Sequence, residues 1–420
     1  MYSCSVAAAV FVATLVPFLA EAVPAEPSLS LSLEQALVRA EQHSPLVQRA
    51  RLERKIAAAA SVGAAILFPA NPAISAAVGR RTDTSGSTPL AQGVEFALRL
   101  EQTIEIGGQR GTRLEEAGAA LRTAEARERL AVFETRARTK VAYLSGLIAQ
   151  AQLDRSRRME ELAEHLLDSA RSRLQAGAAS NVELHLAEVE RGRLRAVRRD
   201  AELLLADAII ELRRQIDIPL GTHIILTTQL VRPPVSAMPL DQLLERARGR
   251  RAELRVLDER HSQLDAMVVR LHREAIPNPT LFVDFARQQP GQTYVGGGLG
   301  LALPMWRRNQ GELALVRAEQ HLVEGQRDIL DREVGIEIER ALRVGLARAT
   351  EAELWEREVV PAAEANVELL TEGWRAGKFD LFRVIQASRE AGEARQRQLD
   401  LLGGLWQAVI ELDRATGGMP

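Results

Sequence analysis

Hydrophobic and polar positions along this chain follow two periods, and the change from one to the other recurs at matching places. Over 94–101, Val94, Phe96, Leu98 and Leu100 alternate with Glu95, Ala97, Arg99 and Glu101, the period-two signature of a strand with unlike faces. Over 295–303, Val295, Leu299, Leu301 and Leu303 alternate with Gly296, Gly298, Gly300 and Ala302. Weaker alternation at Ile74, Ala76 and Val78, and at Leu281, Val283 and Phe285, predicts a partner for each strand.

Nearly everything else has helical period. Residues 110–176 read as one tract, roughly 100 Å long at about 1.5 Å per residue. In it Leu130, Phe133, Ala137, Val141, Leu144, Ile148 and Ala151 step by threes and fours, predicting a coiled-coil seam. Val182, Leu186, Val189, Ala196, Leu203 and Ile210 predict the matching seam on a returning helix. Further helices are predicted over 33–67 and 240–275, ended by Phe68-Pro69 and Ile276-Pro277, because proline disfavours helix at the residue before it.

These parts are written twice. Leu33-Glu34-Gln35-Ala36-Leu37 matches Leu240-Asp241-Gln242-Leu243-Leu244, and at the same offset of 207 Asn71-Pro72 falls on Asn278-Pro279. Gly111 pairs with Gly311, and Ala176-Gly177 with Ala376-Gly377, at an offset of 200. The chain therefore divides into a first repeat, 23–217, a linker, 218–237, and a second repeat, 238–420. Each repeat runs helix, strand pair, very long helix, glycine turn, shorter helix. Gly107-Gly108 stands where a strand must bend straight into the long helix, and Gly311 is taken as the corresponding bend in the second repeat.

Strands of about ten residues with one apolar and one polar or tiny face suit a membrane barrel. Four strands cannot close one, and an open edge in lipid leaves backbone groups without partners. Several copies must then share a barrel. The fold class that follows is mainly α, with long helical hairpins forming a tunnel and four strands per chain given to a shared β-barrel.

Composition narrows the function. Aromatic residues make up 4% of the 420, too few for a large compact core. Net charge is -2, from 54 basic and 56 acidic residues, and no basic block suggests a nucleic-acid partner. The apolar run 5–20 followed by Ala20-Glu21-Ala22 reads as a signal peptide over 1–22, with the mature chain beginning near Val23. Cys4, the one cysteine, precedes that run and leaves with it, so neither disulfide nor lipid-anchor cysteine is expected afterwards.

No catalytic residues emerge: there is no nucleophile–base pair, no paired-acid array and no cofactor loop. Gly296-Gly297-Gly298-Leu299-Gly300 lacks the helix that a phosphate loop opens. The seven histidines (His43, His165, His185, His223, His261, His272, His321) show no metal-ligand spacing and no clustering with acids, so no metal site is expected.

The motifs EQTIEIGGQRGTR (101–113), RLQAGAASNVEL (173–184), PNPTL (277–281), LPMWRRNQGEL (303–313) and VVPAAEANVELLTEGWRAGKFDLFRVIQAS (359–388) resemble the TolC-type outer-membrane efflux family over nearly all of the mature chain. The glycine pair before a basic residue, with RNQGE, is similar to the heavy-metal (cobalt–zinc–cadmium) branch. The resemblance implies a homotrimer with a twelve-stranded barrel in the outer membrane of a Gram-negative bacterium and a tunnel projecting into the periplasm. It also implies docking to a periplasmic adaptor and an inner-membrane pump of the RND type, for metal cations or for drugs and other small molecules. Gly177 and Gly377 would be the periplasmic tips. Phe382 would form the constriction, with Asp380, Arg383 and Gln386 beside it and Val182 and Glu183 on the first hairpin; relatives often carry acids where Arg383 and Gln386 stand. A periplasmic adaptor or a coiled-coil scaffold is the competing reading. An adaptor has one hairpin flanked by β-structure, and a scaffold leaves the strand faces unexplained.

Overall fold

The computed structural model describes residues 28–81, 93–289 and 292–418; the signal-peptide reading lies outside them. Each repeat forms the predicted series. The first contains β1 (Ser28–Leu31), α1 (Leu33–His43), α2 (Pro45–Ala64), β2 (Ala73–Arg81), β3 (Gly93–Thr103), α3 (Gln109–Gln175) and α4 (Asn181–Ile216). After β4 (His223–Leu226), the second contains α5 (Leu240–Arg250), α6 (Ala252–Glu274), β5 (Pro279–Gln289), β6 (Gln292–Leu301) and α7 (Gln310–Leu354). A π-helical turn, Trp355–Val359, leads to α8 (Val360–Arg375), and α9 (Leu381–Ala415) closes the chain. Among the described residues no helix is long and apolar enough to cross a membrane.

Strands β2, β3, β5 and β6 form one antiparallel sheet in that order, leaving β2 and β6 as open edges. The register opposes Ile74 to Leu100, Ala76 to Leu98 and Val78 to Phe96. It also opposes Leu98 to Phe285, Phe285 to Val295 and Leu281 to Leu299. The alternating apolar residues of all four strands therefore share one face, which no described residue covers: Ile74, Val94 and Val295 are about 70% exposed. On the other face Arg99 pairs with Asp284 at 2.7 Å and lies 4.5 Å over the Phe282 ring. The glycines there are not bare. Phe282 lies over Gly298 and Tyr294 folds over Gly296, where any Cβ would collide with the ring.

Three expectations need correction. The helices predicted over 33–67 and 240–275 are each two. In the first repeat the break falls at Ser44, extended before Pro45, as a residue before proline prefers. In the second it falls at Arg251, with no proline to cause it. There the cause is tertiary: Arg251 is 3% exposed and held by Glu253 and Glu337, and Gly417 packs against Arg250. Secondly, Gly311 is not a bend. It lies inside α7, and the left-handed residue is Asn309, at φ 60°; in the first repeat that residue is Gly108, at φ 75°. A short side chain tolerates αL, which is why asparagine can stand there.

The third correction concerns the seams. On α3, Phe133, Ala137 and Leu144 are buried but Val141 is 41% exposed. The helix is flanked by α2, α4, α6 and α9, so it buries small residues on several sides instead of one stripe. On α4 most positions predicted to pack are exposed, Val182, Val189, Leu203 and Ile210 at 59–67%, while Leu186 packs against the core near the tips. The buried line is Ala187, Glu190, Leu194 and Ala201. Helix α4 carries two apolar stripes, and periodicity cannot say which one faces its own chain.

The parallel pair β1–β4, in which Leu31 pairs with Leu226, was not predicted. It joins the start of the first repeat to the linker and seats on a core of Tyr143, Leu147, Leu212 and Ile216. Strands of four residues carry too little alternation to be read from sequence.

Candidate functional site

The two glycine turns close in the same way. At Gly177 (φ 69°) the Ala178 N–H donates to Arg173 O at 2.8 Å and the Gly177 N–H to Leu174 O at 3.0 Å. At Gly377 (φ 73°) the Lys378 N–H donates to Gly373 O at 2.8 Å and the Gly377 N–H to Trp374 O at 2.9 Å. This pair of bonds, with glycine in the left-handed region, ends a helix and frees the chain to reverse. The return helices are capped alike: Ser180 accepts from the Glu183 N–H at 3.3 Å, and Asp380 from the Arg383 N–H at 2.9 Å.

Phe382 follows that cap and is 59% exposed, projecting from the start of α9. Asp380 is occupied as the cap. Arg383 lies 5.8 Å over the Phe379 ring, and Gln386 donates to Glu390 at 3.1 Å. Val182 is 67% exposed at the first turn of α4, while one carboxylate oxygen of Glu183 is buried without a partner. The predicted tip residues therefore gather at one end of the molecule on two hairpins.

Just above the tips the two hairpins are joined by residues that spacing did not reveal. Trp374, 1% exposed, packs in a core with Leu166, Leu167, Leu381 and Val384. Arg173 donates to Trp374 O at 2.9 Å and lies 5.3 Å over its ring. Higher up, Glu190 is 3% exposed on α4. It receives Arg193 at 2.6 Å from its own helix and Arg389 at 2.7 Å from α9. Burial pushes the Glu190 carboxyl upward, but the two guanidinium groups outweigh it and hold the pKa below the ordinary value. Its signal in the sequence was a glutamate on the same stripe as Ala187, Leu194 and Ala201.

At the opposite end of the helices the bends are pinned by glutamines. Gln109, 1% exposed, accepts from the Gly107 N–H at 2.9 Å. Its amide donates to Asn278 at 2.8 Å and to Ile276 O at 3.2 Å, locking the first bend to the second repeat. A side chain on Gly107 would run into Ile276, so close approach, besides bending, fixes that glycine. The repeat mate Gln310 is exposed at the sheet's other edge and bonds only locally, to Arg308 N and Trp306 O.

On α6 and α7 two of the histidines meet acids. His261 meets Asp265 at 3.2 Å and Glu324 at 3.1 Å, and His321 meets Glu324 at 3.2 Å. Antiparallel α6 and α7 bring together groups far apart in sequence. Among the described residues, no three or more metal-type side chains are placed to hold an ion.

The model of the outer membrane efflux protein family matches residues 36–216, from within α1 to the end of α4. Over that stretch the chain resembles the outer membrane efflux family. It is 27% identical to the cobalt-zinc-cadmium resistance protein CzcC of Cupriavidus metallidurans, over 75% of each sequence. Its fold is that of solved efflux channels. CusC superposes with a TM-score of 0.74 at 16% identity, covering 92% of each chain. The CmeC outer membrane channel of Campylobacter jejuni gives 0.75 at 15% identity, covering 92% of this chain and 85% of CmeC. The open-state MtrE channel of Neisseria gonorrhoeae gives 0.72 at 15% identity, covering 92% and 89%.

Proposed function

We propose that this chain is the outer-membrane exit duct of a tripartite export system, working as a homotrimer whose barrel lies in the outer membrane and whose tunnel enters the periplasm. The observation that carries the reading is the palisade formed by one chain. At the sheet the order is β2-β3-β5-β6. Below it α2, α3, α6 and α7 stand side by side, and towards the tips α4, α3 and α9 follow, with α7 and α8 beyond. At each level one edge belongs to the first repeat and the other to the second.

Both edges are apolar and uncovered. On α2 Leu52, Ile56 and Val62 are 57–73% exposed. On α7 Leu315, Leu322, Ile329 and Ile336 recur every seven residues and are 50–67% exposed. Such a spacing is a coiled-coil stripe awaiting its partner. Head-to-tail contact of unlike edges makes a ring when the rotation closes, and closure also removes the open strand edges that lipid forbids.

The repeat mates locate one contact. Gln109 bonds Asn278 within the chain, so Gln310 should bond Asn71 of the next copy, because Gln310 and Asn71 are the corresponding residues at the free edges. Cysteines at Asn71 and Gln310 joined by a short bifunctional reagent should give a covalent trimer ladder on a denaturing gel. A reagent trapping only monomers would count against this ring.

The likeness to the cobalt-zinc-cadmium resistance protein supports divalent metal cations as cargo, and with them docking to a periplasmic adaptor and an inner-membrane pump. Deletion of the gene should sensitise its host to cobalt, zinc or cadmium. Sensitisation to organic antibiotics alone would retain the duct and replace the cargo.

A further inference from the structure

We propose that the uncovered apolar stripe of α4 is the seat for the α7–α8 edge of a second copy of this chain, and that Trp355 of that copy closes the contact over Gly192. This contact rests on the ring of copies proposed above and lies nearer the tips than the pairing of Asn71 with Gln310.

The stripe is Val182, Val189, Ala196, Leu203 and Ile210, one residue every seven, with Gly192 between the second and third. Its four large members are 59–67% exposed, and Gly192 and Ala196 are exposed with them. Such a spacing marks a helix that packs lengthwise against another. Gly192 is the odd member. Glycine inside a helix is destabilising, and a Cβ built at Gly192 meets nothing within 4 Å. No described residue therefore requires a glycine there.

The chain holds its own template for the missing partner. Counted from the glycine turns, α9 lies 200 residues on from α4, and the corresponding stripe of α9 is covered by α3. Ile410, the mate of Ile210, is 3% exposed. A Cβ on Gly403, the mate of Leu203, would lie 2.9 Å from Ile148, and one on Gly392 would lie 3.8 Å from Met159. Arg155 reaches over the same glycine, donating to Gly392 O at 2.6 Å and to Gln396 at 2.9 Å. Moving the α3 side of this contact on by 200 replaces Arg155 and Met159 with Trp355 and Val359. Moving the α9 side back by 200 replaces Gly392 and Gln396 with Gly192 and Ala196. Trp355 and Val359 are the half-buried ends of the π-helical turn, on the edge that the ring brings to α4. The sizes agree, because a bulky indole needs a glycine beneath it and alanine clears the space that Gln396 fills. The indole N–H can also donate to Gly192 O as Arg155 donates to Gly392 O.

Size-swapped variants of the full-length protein, purified in detergent, test the proposal through the trimer fraction seen in native mass spectrometry. Gly192→Leu should lower that fraction about tenfold, as overpacking of a close contact does. Adding Trp355→Ala to Gly192→Leu should restore most of it, because the smaller side chain makes room. Leucine in an exposed helix interior otherwise stabilises relative to glycine. A trimer as abundant in Gly192→Leu as in the wild type would therefore overturn the proposal and leave the stripe to another protein. A loss that Trp355→Ala fails to repair would overturn the assignment of Trp355. Covalent ladders keep this seam apart from the ring itself. The double variant Gly192→Cys, Trp355→Cys should join copies under mild oxidation. A ladder from positions 71 and 310 without one from 192 and 355 would retain the ring and remove this seam, whereas the absence of both ladders would remove both.

Discussion

Glu190 holds two guanidinium groups around one buried carboxylate, and one of them, Arg389, comes from the other hairpin. Glu190→Gln leaves behind Arg193 and Arg389, whose side chains are 42% and 41% exposed and are partly resolvated. The loss of the charge-assisted hydrogen bonds should therefore destabilise the hairpin pair by roughly 1–2 kcal/mol near neutral pH. The folded pKa lies below the ordinary value. The stabilisation is accordingly present above the unfolded carboxylate pKa of about 4.3 and is lost as pH falls through the lower folded value. Thermal melts of the wild type and Glu190→Gln should differ at pH 7 and converge in strong acid; a gap that persists at low pH would contradict this assignment. At the tip, Phe382 is exposed while Arg383 rests on Phe379 and Asp380 caps its own helix. Three phenyl groups near an axis can close a pore by excluding water. A surface ion pair contributes only about 0–1 kcal/mol. Phe382→Ala should raise single-channel conductance in planar bilayers and Arg383→Ala should raise it less; unchanged conductance in Phe382→Ala would move the constriction to Val182 and Glu183.

The two hairpins differ as elements. Helix α3 runs 67 residues without interruption, whereas α7 passes through a π-helical turn before α8. Pro361 is the cause the sequence supplies, because it lacks an N–H and its ring crowds the preceding turn. The corresponding residue of the first repeat, Glu161, does neither. A π-turn lets the ladder absorb the missing donor without breaking the helix. Pro361→Ala restores the donor, and amide hydrogen exchange across 355–361 should slow several-fold in consequence. Exchange as fast as in the wild type would show that packing, not proline, sets the π-turn. The glycine turns are constrained differently: nothing lies near a Cβ built at Gly377, so its cost in Gly377→Ala comes from φ alone.

For the whole molecule, the uncovered apolar sheet face and the two open edges have one common remedy, closure with further copies. Leu98 and Leu299 lie on that face, on an inner and an edge strand. Arginine at mid-bilayer on a lipid face costs about 2–4 kcal/mol. Leu98→Arg and Leu299→Arg should each lower the yield of detergent-extracted trimer, read on a native gel after outer-membrane fractionation. Normal yield in both variants would reverse the assignment of faces.

The sequence by itself determined the four long strands and the helical tracts, the doubling of the whole plan, and the glycine turns at 177 and 377. Those features rest on local periodicity and on φ values that only glycine adopts easily, and both are written in neighbouring residues. Much of the tip was legible for the same reason: Phe382, Asp380 and Gly377 are close in the chain. Only the tertiary structure decided which of two apolar stripes α4 buries, that Asn309 and not Gly311 makes the second bend, and that Arg251 breaks a helix without proline. It alone brought Arg389 to Glu190, His261 to Glu324, and Gln109 to Asn278. Each of these joins groups tens to hundreds of residues apart, and helical period fixes the face a residue occupies while leaving open what that face will meet.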